Sequence, residues 1–365
     1  MDIESFDIYT YRLSLNRPLV FRGQSYHERE GILIRLGCGG DSGWGEIAPL
    51  PGFSVENREA AVAATRSLRR TLRGYTVPDC VEELSGGFDR WLGAFDLPPS
   101  VRTGVENAVL CLLAAQRGEA VANLLTSAPR PSVAVNGLIA GGFENIDNEI
   151  VRVREGRYPA VKVKVGRQSI SEDVATVHHA FSRLGGSVTI RLDANRAWEF
   201  VDAVRFANDI NGIPLEYLEE PLADPTRLSD FARITGVPVA LDESVVGLAP
   251  EQLPVFAGLS AVILRPTVLG GLEKAMRFAR RALNAGVTPV VSSAVESAVG
   301  VAGLVNLAAA MTKDDVAAGL DTISWFDHQP SQTPLRMING RISVDTAMAV
   351  LRSVDAARLQ EVYDE

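Results

Sequence analysis

Six charged residues close successive apolar runs: Lys162 and Lys164 in AVKVKVG, Asp193 in IRLDANRAW, Glu219 in EYLEEPL, Asp242 in ALDES and Arg265 in ILRPT. From Lys164 onward the intervals are 29, 26, 23 and 23 residues. Each interval fits one strand, one helix and their loops, so one charged side chain arrives per unit. Lys162 and Lys164 share one face of a strand, while Val161, Val163 and Val165 share the other. Three carboxylates delivered at a similar height by adjacent strands repel one another and hold protons unless a cation lies between them. Ligation by oxygen alone suits Mg²⁺, with Mn²⁺ the second candidate; no His or Cys at these positions points to zinc. A divalent ion facing two lysines suits abstraction of a proton α to a carboxylate, because the ion steadies charge where it develops. A lysine acts as a base only when its ammonium is destabilised, and a second ammonium nearby plus the ion both act in that direction. Lys164 is the candidate base on this reading, with Lys162 beside it.

Taken singly, each residue has a plainer explanation. K-V-K is often the solvated face of a strand, Asp193 and Asp242 suit helix N-caps, Glu219–Glu220 suits a helix start before Pro221, and Arg265 suits a salt bridge. These explanations would all have to hold together, at consecutive strand ends and at unit spacing. The joint pattern favours chemistry. Ser292 and Ser293 in VVSSAVES could present hydroxyls or backbone N–H groups to an anion where a helix is predicted to start. His178–His179 falls in a predicted exposed helix, His27 in a predicted loop, and His328 near the return to the first domain.

The elements that must position these groups fall into three textures. Residues 1 to about 48 alternate like strands (SFDIYTYRLSL, GILIRLGC, SGWGEIAPL), with a turn at GCGGDSG. From about Val55 the period becomes helical, ending with VRTGVENAVLCLLAAQRG, which stops at Gly118. These make an α+β domain over residues 1–130. Residues 131–325 repeat short apolar runs, each followed by a helical stretch, which implies parallel βαβ units. A closed barrel is favoured over a doubly wound sheet, because polar residues sit at the C-terminal end of each strand and no G-x-G-x-x-G or G-x-x-x-x-G-K-[ST] loop is present. The tail, residues 326–365, carries one more helical run and is predicted to complete the first domain.

The chain has 365 residues, 46% of them hydrophobic and 22% charged, a formal net charge of −9 and three scattered cysteines. Disordered and collagenous classes are excluded, and a nucleic-acid partner is not expected without a basic face. No apolar run is long enough to span a bilayer; the stretch from Ala298 to Met311 reads as a buried helix. The N-terminus lacks the pattern of a signal peptide, and the cysteines suit reduced thiols, so a cytoplasmic protein is expected. No pattern in the chain specifies an oligomeric state.

The motifs GEIAPLPGFS, AVKVKVG, IRLDANRAW, LEEP, LDES, ILRPTVLGGLEKA, SSAVESAVG and AGLDT together resemble the enolase superfamily, and within it the o-succinylbenzoate synthase family. The resemblance covers most of the chain. It implies an α/β fold: a (β/α)7β modified TIM barrel with an N-terminal α+β capping domain completed by the C-terminal tail. It also implies that Asp193, Glu219 and Asp242 hold Mg²⁺, that Lys164 is base and then acid, and that Lys162 assists electrostatically. The implied reaction is a lyase step in menaquinone biosynthesis, the syn dehydration of 2-succinyl-6-hydroxy-2,4-cyclohexadiene-1-carboxylate through an enediolate. The substrate is thus a small carboxylate. Arg22, Gly52 and Phe53 on cap loops and Asn195, Gly270, Ser292 and Ser293 on the barrel are the implied substrate contacts. Family members usually carry lysine where this chain has Arg265. An arginine stays protonated, which disfavours relatives that exchange protons on both faces, such as N-acylamino-acid racemase and dipeptide epimerase, but leaves a cation over the ring. Other readings are a muconate cycloisomerase-like enzyme, a sugar-acid dehydratase, or a ligand-binding homologue without turnover.

Overall fold

The alternating N-terminal runs pair as a meander of long strands: β1 (Ser5–Phe21), β2 (Gln24–Cys38) and β3 (Asp41–Ile47). The computed structural model describes residues 1–21, 24–141, 145–312 and 314–362. The β2–β3 turn uses left-handed Gly39 and Gly40, in the GCGGDSG segment that the sequence marks as a turn. The 19-residue helix Pro99–Arg117 starts with Pro at its first position and ends on left-handed Gly118. It lies directly on β3, and only glycine fits there. A Cβ at Gly43 would sit 2.2 Å from Ala108 O, and one at Gly45 would sit 1.9 Å from Gly104 O. His27, expected in a loop, lies exposed on β2, because the β1–β2 ladder resumes at Leu19↔Tyr26 and runs to Phe21↔Gln24.

Residues beyond 131 form β4 (Ser132–Ala134), then seven parallel strands. These are β5 (Asn136–Ile139), β6 (Ala160–Lys164), β7 (Thr189–Asp193), β8 (Leu215–Glu219), β9 (Val239–Leu241), β10 (Leu259–Leu264) and β11 (Thr288–Val291). They pair in sequence order. Ala318 and Gly319 close the ring: Ala318 N donates to Ala134 O at 2.8 Å and Gly319 N donates to Val291 O at 2.8 Å. Helices 146–155, 170–184, 200–209, 228–235, 272–284 and 298–311 make the crossovers, and the β9–β10 connection uses the short turns Glu243–Val245 and Pro250–Gln252. A modified (β/α)7β barrel with an α+β cap is the result, as the sequence implied. Val161 and Val163 are fully buried on the helix side of β6. The apolar helix Ala298–Met311 is buried within the protein, and no described helix is long and apolar enough to cross a membrane.

The C-terminal tail divides between the two parts. β12 (Arg341–Ser343) pairs with β4, and the helix Val344–Arg352 packs beside the barrel helix Ala298–Met311. At the tail's start Phe326 bridges Leu15 of β1, and near its end β13 (Gln360–Glu361) joins the cap sheet on the free edge of β1.

Cap and barrel are also tied through helix ends, whose first N–H groups have no partner within their own helix. Glu46 on β3 accepts from Ser297 N at 2.8 Å and Gly300 N at 2.7 Å, capping the barrel helix Ala298–Met311. Glu106 of the cap accepts from Glu273 N at 2.9 Å, at the start of barrel helix Leu272–Asn284. Glu273 returns the favour, accepting from Gly86 N at 2.8 Å, Phe88 N at 3.2 Å and Asp89 N at 2.7 Å of the cap. Gly271 leaves room for this exchange, since a Cβ there would meet Glu106 Oε1 at 2.6 Å.

Candidate active site

Parallel register delivers the charged ladder to one end of the barrel. Lys164 is level with Asp193, and Asp193 is level with Glu219 on the next strand. Asp242 follows β9, and Arg265 follows β10. Lys162, Asp193, Glu219 and Asp242 are all buried, Asp193 and Glu219 completely. A solvated K-V-K face is therefore excluded. Asp193 and Asp242 are not caps of α-helices either: Asp193 Oδ1 accepts from Asn195 N at 3.1 Å, and Asp242 caps no backbone N–H.

The carboxylates are compensated by the chain's own cations. Lys162 Nζ lies 2.6 Å from Glu219 Oε2 and 3.4 Å from Asp193 Oδ2. Lys164 Nζ donates to Asp193 Oδ2 at 2.6 Å and to Asn195 Oδ1 at 2.7 Å. Arg265 grips Asp242 through Nε at 3.0 Å and Nη2 at 2.8 Å, and also donates to Ser293 O. Among the described residues no three His, Cys, Asp or Glu side chains converge on one point. The repulsion expected of the acidic trio is thus relieved here by Lys162, Lys164 and Arg265.

The electrostatics follow from burial and neighbours. Burial works against the Lys162 ammonium, but Glu219 and then Asp193 outweigh it and hold the proton more tightly than usual. Asp193 loses solvation too, yet Lys164 and Lys162 pull its carboxyl below the ordinary range. Burial, then the Asp193 charge, pushes the Glu219 carboxyl well up. Glu219 Oε1 is buried with no hydrogen-bond partner among the described residues. An orphaned carboxylate oxygen with two further carboxylates close by is a hard, oxygen-only set of the kind Mg²⁺ takes, although the three, paired with the chain's own cations, do not converge on one point here. Beside them, burial and Asp242 push Glu243 up to about 7.

Above this layer lies a cavity of about 550 Å³. Lys162, Lys164, Asn195, Arg265, Ser292, Ser293 and Phe53 line it, so most of the sequence-predicted contacts meet there. Phe53 reaches across from the cap, its ring centroid 5.8 Å from the Arg265 guanidinium carbon. Gly52 and Gly270 do not line the cavity. Gly52 is exposed in the turn before Phe53, and Gly270, at φ +95°, bends the chain against Pro99 of the cap. Arg22 lies outside the described residues. Ser292 and Ser293 do not begin a helix; that helix starts at Ala298 behind the N-cap Ser297, because Val295 is left-handed and Glu296 ties the loop to Ser293 Oγ at 2.8 Å. His178 and His179 bond to Asp209 O and Asp147 on the outer helices, and His328 is exposed.

Further contributors are given no site role by the sequence. Glu220 accepts from Asp242 N at 2.9 Å, Ser244 N at 2.7 Å and Arg196 Nε at 3.0 Å, fixing the loop that carries Asp242. Buried Arg29 donates to five carbonyls, among them Ala48 O at 2.6 Å, Pro49 O at 2.7 Å and Val295 O at 3.1 Å, and so binds the Leu50–Phe53 loop to the end of β11. Arg17, Leu19, Val20, Leu138 and Trp325 also line the cavity.

Barrel, cap and strand-end charges together define a member of the enolase superfamily. The family described as enolase C-terminal domain-like matches residues 146–348, and the MenC N-terminal domain matches residues 3–88. The o-succinylbenzoate synthase of Citrobacter koseri is 32% identical over 337 residues, 90% of this chain and 93% of its own. That of Pectobacterium atrosepticum is 31% identical, covering 89% and 92%. The chain belongs to the o-succinylbenzoate synthase family. Solved structures share the fold at lower identity: a Pseudomonas fluorescens muconate lactonizing enzyme complexed with muconolactone (TM-score 0.81, 21% identity, 98% of each chain) and an Enterococcus faecalis dipeptide epimerase complexed with Mg and L-Leu-L-Tyr (TM-score 0.81, 17% identity, 99% and 100%). Fold and family are both as the sequence led one to expect.

Proposed function

We propose that this chain catalyses the Mg²⁺-dependent syn dehydration of 2-succinyl-6-hydroxy-2,4-cyclohexadiene-1-carboxylate to o-succinylbenzoate, a step of menaquinone biosynthesis in the cytoplasm. The observation that carries the reading is Lys164, on the cavity wall with its Nζ held by Asn195 and by Asp193, one of three buried strand-end carboxylates. Asp193, Glu219 and Asp242 would hold the metal. When bound there, the metal neutralises charge that builds on the substrate carboxylate as the neighbouring proton leaves.

Lys164 takes the proton from the ring carbon bearing the carboxylate, and the C–H electron pair passes toward that carboxylate. The C–O bond to the hydroxyl then breaks, and Lys164 returns its proton so that water departs from the same face. The ring becomes aromatic. Lys162, more deeply buried and charged, stays an ammonium and adds positive potential near the substrate carboxylate. Burial opposes the Arg265 charge, but Asp242 more than offsets it, so Arg265 stays protonated and cannot serve as a second base. A single base suffices for syn elimination and not for racemisation, which favours the dehydratase over the racemase and epimerase alternatives.

Incubation with the cyclohexadiene substrate and Mg²⁺, followed in the ultraviolet, tests the proposal. Aromatic product should appear, stop with EDTA and resume with excess Mg²⁺. Absence of product with Mg²⁺ present refutes it.

A further inference from the structure

The proposed substrate carries two carboxylates, one on the ring and one at the end of the succinyl arm, and the groups described so far account for the first. Where β1 reaches the cavity wall it breaks its pairing with β2, the register shifting between Ser14 and Leu19. Asn16-Arg17-Pro18 occupies this break, where proline has no N–H to offer a ladder. The break is pinned to the barrel segment after Gly319: Leu15 bridges Phe326, and Asn16 Nδ2 donates to Ser324 O at 2.8 Å. Arg17 is thereby turned into the cavity, and its guanidinium carbon lies 4.0 Å from the Trp325 ring centroid.

Stacking fixes the plane of the guanidinium and leaves its N–H edge for a ligand. Its acidic neighbours are already engaged. Asp321 is buried and accepts from Arg152 Nη1 at 2.9 Å, Tyr158 OH at 2.5 Å and Leu138 N at 3.1 Å. Glu149 Oε2 accepts from Ala140 N at 2.8 Å and Gly141 N at 3.0 Å, which leaves Oε1 as a long 3.4 Å contact to Arg17. Among the described residues that is the one hydrogen bond Arg17 makes, although a guanidinium carries five donors. Leu19, Leu50, Phe53 and Leu138 add apolar surface to the same cavity, Leu138 level with Lys162 on the neighbouring strand.

We infer that Arg17, stacked on Trp325, is the specificity residue that receives the second carboxylate of a dicarboxylate substrate, the succinyl terminus on the reading above. This deepens that reading and rests on it. The cavity then offers Arg17 as well as the lysines to an anionic ligand, and so prefers ligands with two anionic groups.

Calorimetry with Mg²⁺ present tests the assignment with two ligands, o-succinylbenzoate and the neutral amide of its succinyl terminus. The wild type should favour the dicarboxylate by roughly 10- to 100-fold, as a charge-assisted contact implies. Arg17→Met should bring the ratio close to one, with the dicarboxylate bound as weakly as the amide. A merely structural defect would weaken both ligands alike and leave the ratio standing. Arg17→Lys, which keeps the charge but loses the fork, should retain part of the preference and supplies the reading if the Met variant does not fold. Arg167→Met, on the exposed rim, should keep the full ratio. An undiminished ratio in Arg17→Met and Arg17→Lys, or its collapse in Arg167→Met, overturns the inference while leaving the dehydratase reading intact. Failure of the wild type to bind o-succinylbenzoate overturns both.

Discussion

Replacing Arg29 by Met would separate the stability of the cap–barrel junction from the chemistry beneath it. Arg29 is buried and donates to five carbonyl oxygens, three of them within 3.1 Å: Ala48, Pro49 and Val295. Methionine fills much of the volume and supplies no donor. Each short-bonded carbonyl left without a partner costs roughly 1–3 kcal/mol. Relief from burying the guanidinium charge, and water reaching part of the gap, offset some of that sum. A net loss of about 3–4 kcal/mol is expected, measured by urea unfolding with an unchanged denaturant slope. Because the freed segments carry Leu50, Phe53 and Val295 of the cavity wall, KM should rise several-fold while kcat falls less. A loss below about 1 kcal/mol together with an unaltered KM would refute the argument that these carbonyls depend on Arg29.

Lys164→Ala should abolish turnover by at least about 10³-fold while circular dichroism stays near wild type; retention of most activity would remove the base assignment. Arg265→Lys keeps a cation but loses the two-point grip on Asp242 and the stack on Phe53. It should leave kcat within about tenfold, and a steeper fall would show that the guanidinium itself is needed. Burial pushes the Glu106 carboxyl up to about 7, against the opposing pull of Arg102. The native state therefore holds a proton that the unfolded chain has released, so this contribution is complete below about pH 4.5 and fades as pH rises through about 7. The stability difference between wild type and Glu106→Gln should shrink over that window by up to roughly 3 kcal/mol; a difference constant from pH 4 to 8 would contradict it.

The barrel and its ladder were legible because each rests on local periodicity. An apolar run followed by a helical stretch needs no knowledge of distant contacts, and parallel pairing then forces Lys164, Asp193 and Glu219 to one level. What stayed hidden depends on long-range approach. Gly270 looks like a pocket glycine in ILRPTVLGG, yet its neighbour in space is Pro99, some 170 residues away in the chain. His27 reads as loop because the GQSYHERE segment is polar, but exposed hairpin strands are polar too when neither face is covered. On sequence alone Glu219–Glu220 before Pro221 suits a helix start. Consecutive strand residues face opposite ways, and that alternation could have assigned Glu219 to the barrel interior and Glu220 to the neighbouring loop. For Arg29 and Arg17 no spacing rule exists, since their partners are backbone carbonyls drawn from both domains and an indole ring of the barrel.

The exchange of carboxylates across the domain boundary, with Glu46, Glu106 and Glu273 each terminating a helix of the opposite part, bears on how such a molecule can be rebuilt. Severing the chain near residue 130 would leave the amides of Gly86, Phe88 and Asp89 on one fragment and those of Glu273, Ser297 and Gly300 on the other without their acceptors. Neither fragment is then a self-sufficient module, and a chimera that transplants a relative's cap must carry the matching acids and helix origins as a set. Loops that touch ligand, by contrast, hang outside this stitching and can diverge without unpicking it.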